Sequence, residues 1–127
     1  MILYQLEKIG DNSFLFKAIG SFPPSIAEEA IEDFLKITKH MSEFSAIIDL
    51  TDARLINFNS IELIVEFFKN NETKLLKSAV IISENPPLDV EFEYILKQVN
   101  SVKRKIVSNL EEAKKWIGID KLIVQKD

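Results

Sequence analysis

Side chains capable of chemistry gather between Asp49 and Ser60. An apolar run, Ser45-Ala46-Ile47-Ile48, ends in Asp49-Leu50-Thr51-Asp52. A connection, Ala53 to Phe58, leads to Asn59-Ser60-Ile61-Glu62 and a strongly apolar stretch. This pattern describes a buried strand delivering a loop to a helix N-terminus, which brings polar side chains and free backbone N–H donors to one surface spot. Asp49 and Asp52, with Glu84, are the donor types of a Mg²⁺ or phospho-aspartate site at the C-terminal edge of a sheet. That chemistry also needs a clustered acidic pair after the first strand, and here the first strand ends in Glu7-Lys8. The acids therefore read as strand terminators and turn caps.

Other reactive combinations are missing from the sequence. His40 is the only histidine and sits beside Lys39 at a helix end, where it serves as a surface residue or a partner for the C-terminal dipole. There is no cysteine, which removes disulfides, thiolate catalysis and cysteine metal sites. Gly10, Gly20 and Gly118 are isolated, so no phosphate-cradling loop exists. Trp116 falls on an inward stripe and reads as core. No catalytic residue, cofactor or metal is expected, and the chain reads as non-enzymatic.

Composition narrows the partners. At 127 residues and 46% hydrophobic content, residues 1–127 form one domain with a real core, made bulky by nine Phe. A net charge of −4 disfavours nucleic acid and anionic lipid. The one basic run, Lys103-Arg104-Lys105, reads as the solvated start of a strand. No apolar run nears the roughly 18 residues of a membrane span, so no membrane insertion is expected. Met1-Ile2-Leu3-Tyr4-Gln5 lacks the basic region of a signal peptide. With no cysteine, a reducing cytoplasm is the expected location.

The elements that must position these residues follow from periodicity. Residues 1–7 and 13–19 read as strands of a hairpin around Gly10-Asp11-Asn12, and Gly20 to Pro24 breaks the chain. Ser25-Ile26-Ala27-Glu28 is a capping box ahead of a helix carrying Ala30, Ile31, Phe34 and Leu35. Residues 44–49 form the central strand. Asn59 is the expected N-cap of the second helix and Ser60 its first residue, with Ile61, Ile64, Val65 and Phe68 as its stripe. Ala79-Val80-Ile81-Ile82 shows no alternation, the mark of a strand buried on both faces.

Residues 88–99 fit both periods, but their length and the flanking buried strands favour a helix. Residues 103–107 form a strand. Asn109-Leu110-Glu111-Glu112 opens a last helix, with Gly118 as its C-cap. In residues 121–127, Leu122-Ile123-Val124 makes an extra strand or tail that needs cover, from its own sheet edge or from a second protomer in a homodimer. The order ββαβαβαβα predicts an α/β fold, a mostly parallel sheet with helices packed on it.

This order resembles the STAS domain, the fold of anti-sigma-factor antagonists and of the SpoIIAA-like STAS/SEC14 proteins. The resemblance spans nearly the whole chain. It is carried by the Gly20 break, by Ile47-Ile48-Asp49-Leu50-Thr51 ahead of the loop, by Asn59-Ser60 opening helix two, and by the closing Leu110-Glu111-Glu112-Ala113-Lys114-Lys115-Trp116-Ile117. In regulatory members a Ser or Thr at the start of the second helix is phosphorylated by a partner kinase. Counted from Asp49 without gaps, that position falls on Asn59; a one-residue loop insertion brings Ser60 into register.

The resemblance implies docking to a regulatory protein of the anti-sigma or switch-kinase type. The expected surface is Ile56, Asn57, Phe58, Asn59, Ser60 and Ile61, with the Pro86-Pro87 loop and the acids Asp89, Glu91 and Glu93 as candidate extensions and Ser60 as candidate phosphosite. Phe58, if exposed, would anchor such a contact. The alternative implied by the lipid-binding side of the family is a cavity of several hundred cubic ångströms for an apolar, lipid-like ligand, which the many Phe residues on helices one and two permit.

Overall fold

The computed structural model describes residues 4–56, 58–82 and 86–118. Their elements are β1 (Tyr4–Lys8), β2 (Ser13–Ala18), β3 (Gly20–Phe22), α1 (Pro24–Thr38), β4 (Phe44–Asp49), β5 (Ala53–Ile56), α2 (Phe58–Asn70), β6 (Leu75–Ile81), α3 (Pro86–Val99), β7 (Arg104–Val107) and α4 (Leu110–Ile117). Glu84, Asn57 and the apolar segment 122–124 lie outside the described residues.

The main sheet has five strands in the order β1-β2-β4-β6-β7. β1 pairs antiparallel with β2, and every other neighbour is parallel. The predicted hairpin and the predicted parallel sheet are both present. Alternate residues of the central strands feed two layers. Val80, with the half-buried Ile48 and Ile106, packs against Ala27 and Ala30 of α1, Ile61, Ile64 and Phe68 of α2, and Leu88, Phe92 and Ile95 of α3. Ile47, Ala79, Ile81 and Val107 pack on the other side with Ala113, Trp116 and Ile117 of α4. Two covered faces explain why Ala79 to Ile82 shows no alternation, and the covering helix settles residues 88–99 as helical throughout.

Four local expectations change. First, β3 and β5 form a separate two-stranded parallel sheet where the sequence reads as a break and a connection. Strands of three and four residues are too short to show a period. Gly20 enters at φ +72, and its amide donates to the Asp52 carbonyl at 2.9 Å. Second, the Ser25 capping box does not form: the N-cap lies two residues earlier, at Pro23, with Pro24 as first helical residue and no side-chain cap. A proline at N1 has no N–H to satisfy and its φ suits a helix, and the Pro23 carbonyl accepts from the Ile26 amide at 3.0 Å and the Ala27 amide at 2.9 Å. Third, α2 starts at Phe58, so Asn59 is its second residue and not its N-cap.

Fourth, the basic run splits. The Arg104 side chain is 4% exposed, and its guanidinium lies 3.8 Å over the Phe68 ring. Strand alternation points Arg104 inward between Lys103 and Lys105. The α4 termini match expectation: Asn109 Oδ1 accepts from the Glu112 amide at 2.9 Å, and Gly118 at φ +85 donates to the Lys114 carbonyl at 3.0 Å.

Candidate functional site

The β4–α2 connection is held from three sides. At the end of β4, Asp49 Oδ1 accepts from the Thr51 amide at 2.9 Å and from Thr51 Oγ1 at 2.7 Å. Asp52 Oδ2 meets Lys17 Nζ of β2 at 2.8 Å, and this pair raises the lysine's affinity for its proton. Asp49 thus caps a turn, the role expected of it, and Asp52 instead forms an ion pair across to β2. Next, β5 lies alongside β3, with Gly20 opposite Ala53 and Phe22 opposite Ile56. On its far side the Ile56 amide donates to Glu91 Oε1 of α3 at 2.8 Å. Finally, Ser60 Oγ donates to the Phe22 carbonyl at 2.6 Å, fastening the first turn of α2 to β3.

These ties sort the six residues expected at the surface. Ile56 and Ile61 are buried, and Ser60 is buried completely. Asn57 is outside the described residues. Phe58 is 66% exposed, and Asn59 is exposed beside it. In this structure Ser60 is not presented to a kinase. The Ser60 hydroxyl has no exposed surface and already serves the Phe22 carbonyl, and a dianion at that position would be buried without a partner. β3 packs on the first turn of α2 and takes Ser60 inside, while Phe58 and Asn59 face out.

Sequence reasoning missed what Phe58 joins. A surface groove of about 290 Å³ runs between α2 and α3. Phe58, Ile61 and Val65 form its α2 wall, and Tyr94 and Gln98 its α3 wall. Glu62, Glu66 and Lys69 stand on the α2 rim. Tyr94 is 49% exposed, and Val90, one turn earlier on α3, is 66% exposed. The signal was present in the sequence as a second apolar period in residues 88–99, Val90 and Tyr94 lying off the stripe of Leu88, Phe92 and Ile95. Of the acids in that segment, Glu91 braces β5 and does not face a partner.

An apolar cavity also lies inside the helical layer, lined mainly by Phe side chains, Phe34, Phe44, Phe67 and Phe68 among them, and by aliphatic neighbours. Its volume is about 90 Å³, well below the roughly 300 Å³ at which ligand pockets begin. The expectation of a cavity large enough for a lipid-like molecule is not met. Among the described residues no helix is long and apolar enough to cross a membrane.

No family model and no curated protein matches this chain. Solved structures do. An uncharacterised protein of the DUF3478 family with a SpoIIAA-like fold, from Shewanella loihica PV-4, is similar over 90% of this chain and 91% of its own, at 15% identity and a TM-score of 0.69. The anti-sigma factor antagonist SpoIIAA in its unphosphorylated form is similar over 93% of this chain and 99% of its own, at 11% identity and a TM-score of 0.66.

Proposed function

We propose that this chain, which has the SpoIIAA-like fold, is a non-enzymatic regulatory domain that docks to another protein through the start of α2 and the groove it shares with α3. The observation that carries this reading is Phe58: a large aromatic side chain, 66% exposed, on backbone held by its neighbours. Ser60 and Glu91 fasten the residues on either side of it. An exposed aromatic on a rigid platform gives up little conformational freedom on binding, and such residues dominate interface energetics. The likeness to an anti-sigma factor antagonist supports a partner of the anti-sigma or switch-kinase kind. With Ser60 buried, regulation of this surface works by occupancy of the groove and not by phosphate on that residue.

The test is affinity purification of the tagged chain from its own host, run in parallel with Phe58→Ala and with Leu35→Ala, an exposed apolar control on α1. A stoichiometric partner held by the wild type and the control but lost with Phe58→Ala supports the reading. Equal recovery with Phe58→Ala sinks it, provided that variant keeps the wild-type unfolding midpoint. Phe58 is exposed, so truncation should change stability by no more than about 0.5 kcal/mol.

A further inference from the structure

Resting on that docking reading, we propose that the α2–α3 groove receives an amphipathic helix of the partner with a basic flank. Its apolar stripe would lie on Phe58, Val65 and Tyr94, and its Lys and Arg residues against Glu62 and Glu66.

The shape of the groove favours a helix. Both walls are α-helices, and none of the lining residues belongs to a strand whose edge an extended peptide could join. From Phe58 to Lys69 the α2 wall runs about 16 Å, or about three helical turns. Phe58 and Val65 lie two turns apart on α2, and Val90 and Tyr94 one turn apart on α3. The α2 stripe lines the groove and Tyr94 faces it from α3, with Val90 standing outside the lining; a stripe of helical period beside an exposed aromatic seats a third helix, whose ridge settles into the furrow between them.

The charges select the occupant. Glu62 and Glu66 stand one turn apart along the α2 rim, and the exposed Glu93 lies next to Tyr94. Lys69 and Lys97 sit toward the far end of the two helices, leaving the Phe58 end of the groove acidic. A second copy of the chain, which also carries a net charge of −4, is the less favoured occupant. A helix with apolar residues at i, i+3, i+4 and i+7 and Lys or Arg beside them matches both the stripe and the rim.

The experiment uses the full chain and two fluorescein-labelled helical peptides with the same Leu stripe, one flanked by Lys and one by Glu, followed by fluorescence anisotropy. The wild type should prefer the Lys peptide by ~10-fold or more, with a preference that shrinks as salt is added. The double variant Glu62→Lys/Glu66→Lys should reverse the order, and Val65→Asp should weaken both peptides. Equal binding of the two peptides, a preference that survives charge reversal, or a proline-rich extended probe that binds as well as the Lys helix would each overturn the proposal. Partner capture separates this failure from failure of the docking reading. A host partner lost with Phe58→Ala but indifferent to Glu62→Lys/Glu66→Lys leaves docking standing and removes the basic helix.

Discussion

Ser60 Oγ donates to the Phe22 carbonyl across 2.6 Å, joining the first turn of α2 to a three-residue strand that precedes it by a whole helix and two further strands. Both residues are buried. This bond sets where α2 begins and, with it, where Phe58 stands.

Removing the hydroxyl should therefore cost more than a surface bond. Ser60→Ala leaves the Phe22 carbonyl short of its donor and is expected to lower stability by about 1–2 kcal/mol in urea denaturation. Ser60→Asp, the usual phosphate mimic, places a charge at a fully buried site and should lower it by about 3 kcal/mol or more. A wild-type midpoint for Ser60→Asp would mean that the hydroxyl is free to leave the interior, and the phosphosite would return.

Glu91 should control the order of the loop. Glu91→Ala is expected to cost about 1.5–3 kcal/mol, the range for a hydrogen bond to a charged group, and to speed hydrogen exchange at the Ile56 amide specifically. Glu91→Gln keeps an oxygen acceptor in place and should retain most of the protection. If the Ile56 amide exchanges equally fast in all three proteins, the contact does not hold the loop.

The buried cation under α2 depends on its partner. Arg104 stacks on Phe68, donates to the Phe68 carbonyl at 3.4 Å and faces Glu72 at 3.5 Å. Burial lowers its affinity for the proton to a pKa of about 10, opposed by Glu72. Glu72→Gln leaves the guanidinium in the core without its counter-ion and should cost about 2–3 kcal/mol. The double variant Glu72→Gln/Arg104→Met removes the stranded charge and should be the more stable of the two. The opposite ranking in urea denaturation would contradict this assignment.

Tyr4 supplies a pH dependence at the alkaline end. Its hydroxyl donates to Asp33 and Glu29 of α1. Desolvation, followed by these two carboxylates, pushes its pKa above the ordinary tyrosine value. Because the folded state holds this proton more tightly than the unfolded state, the contribution is complete below pH of about 10 and is lost as pH rises above it. Absorbance titration, with a Tyr4→Phe variant subtracted, should place the Tyr4 transition above the free-phenol range, and Asp33→Asn should bring it down. A transition at the free value would remove the contact.

The interior cavity predicts a gain. Ala46 of β4 lines it, and Ala46→Val adds two methyl-sized carbons to a space of about 90 Å³. Up to about 1.5 kcal/mol of stabilisation is expected from the added burial. A loss in place of a gain would show that the space cannot take a branched side chain.

The sequence by itself determined the layout. Local period and capping are properties of neighbouring residues, so the apolar run at Ala79 to Ile82, the stripe of Ile61, Ile64 and Phe68, and the Asn109 and Gly118 caps could each be read without knowing what they touch. Tertiary structure decided what those elements do to single residues. Ser60 and Phe58 lie two positions apart at a helix start, and the sequence offers both to the surface. Only the arrival of β3, a strand too short to carry a period, draws Ser60 inside and leaves Phe58 out. The same holds for Arg104, whose basic neighbours suggest solvent until strand alternation points it at Phe68. It holds also for Tyr94, which acquires a role once α3 is packed beside α2. Burial and pairing depend on partners distant in sequence, and no local pattern encodes them.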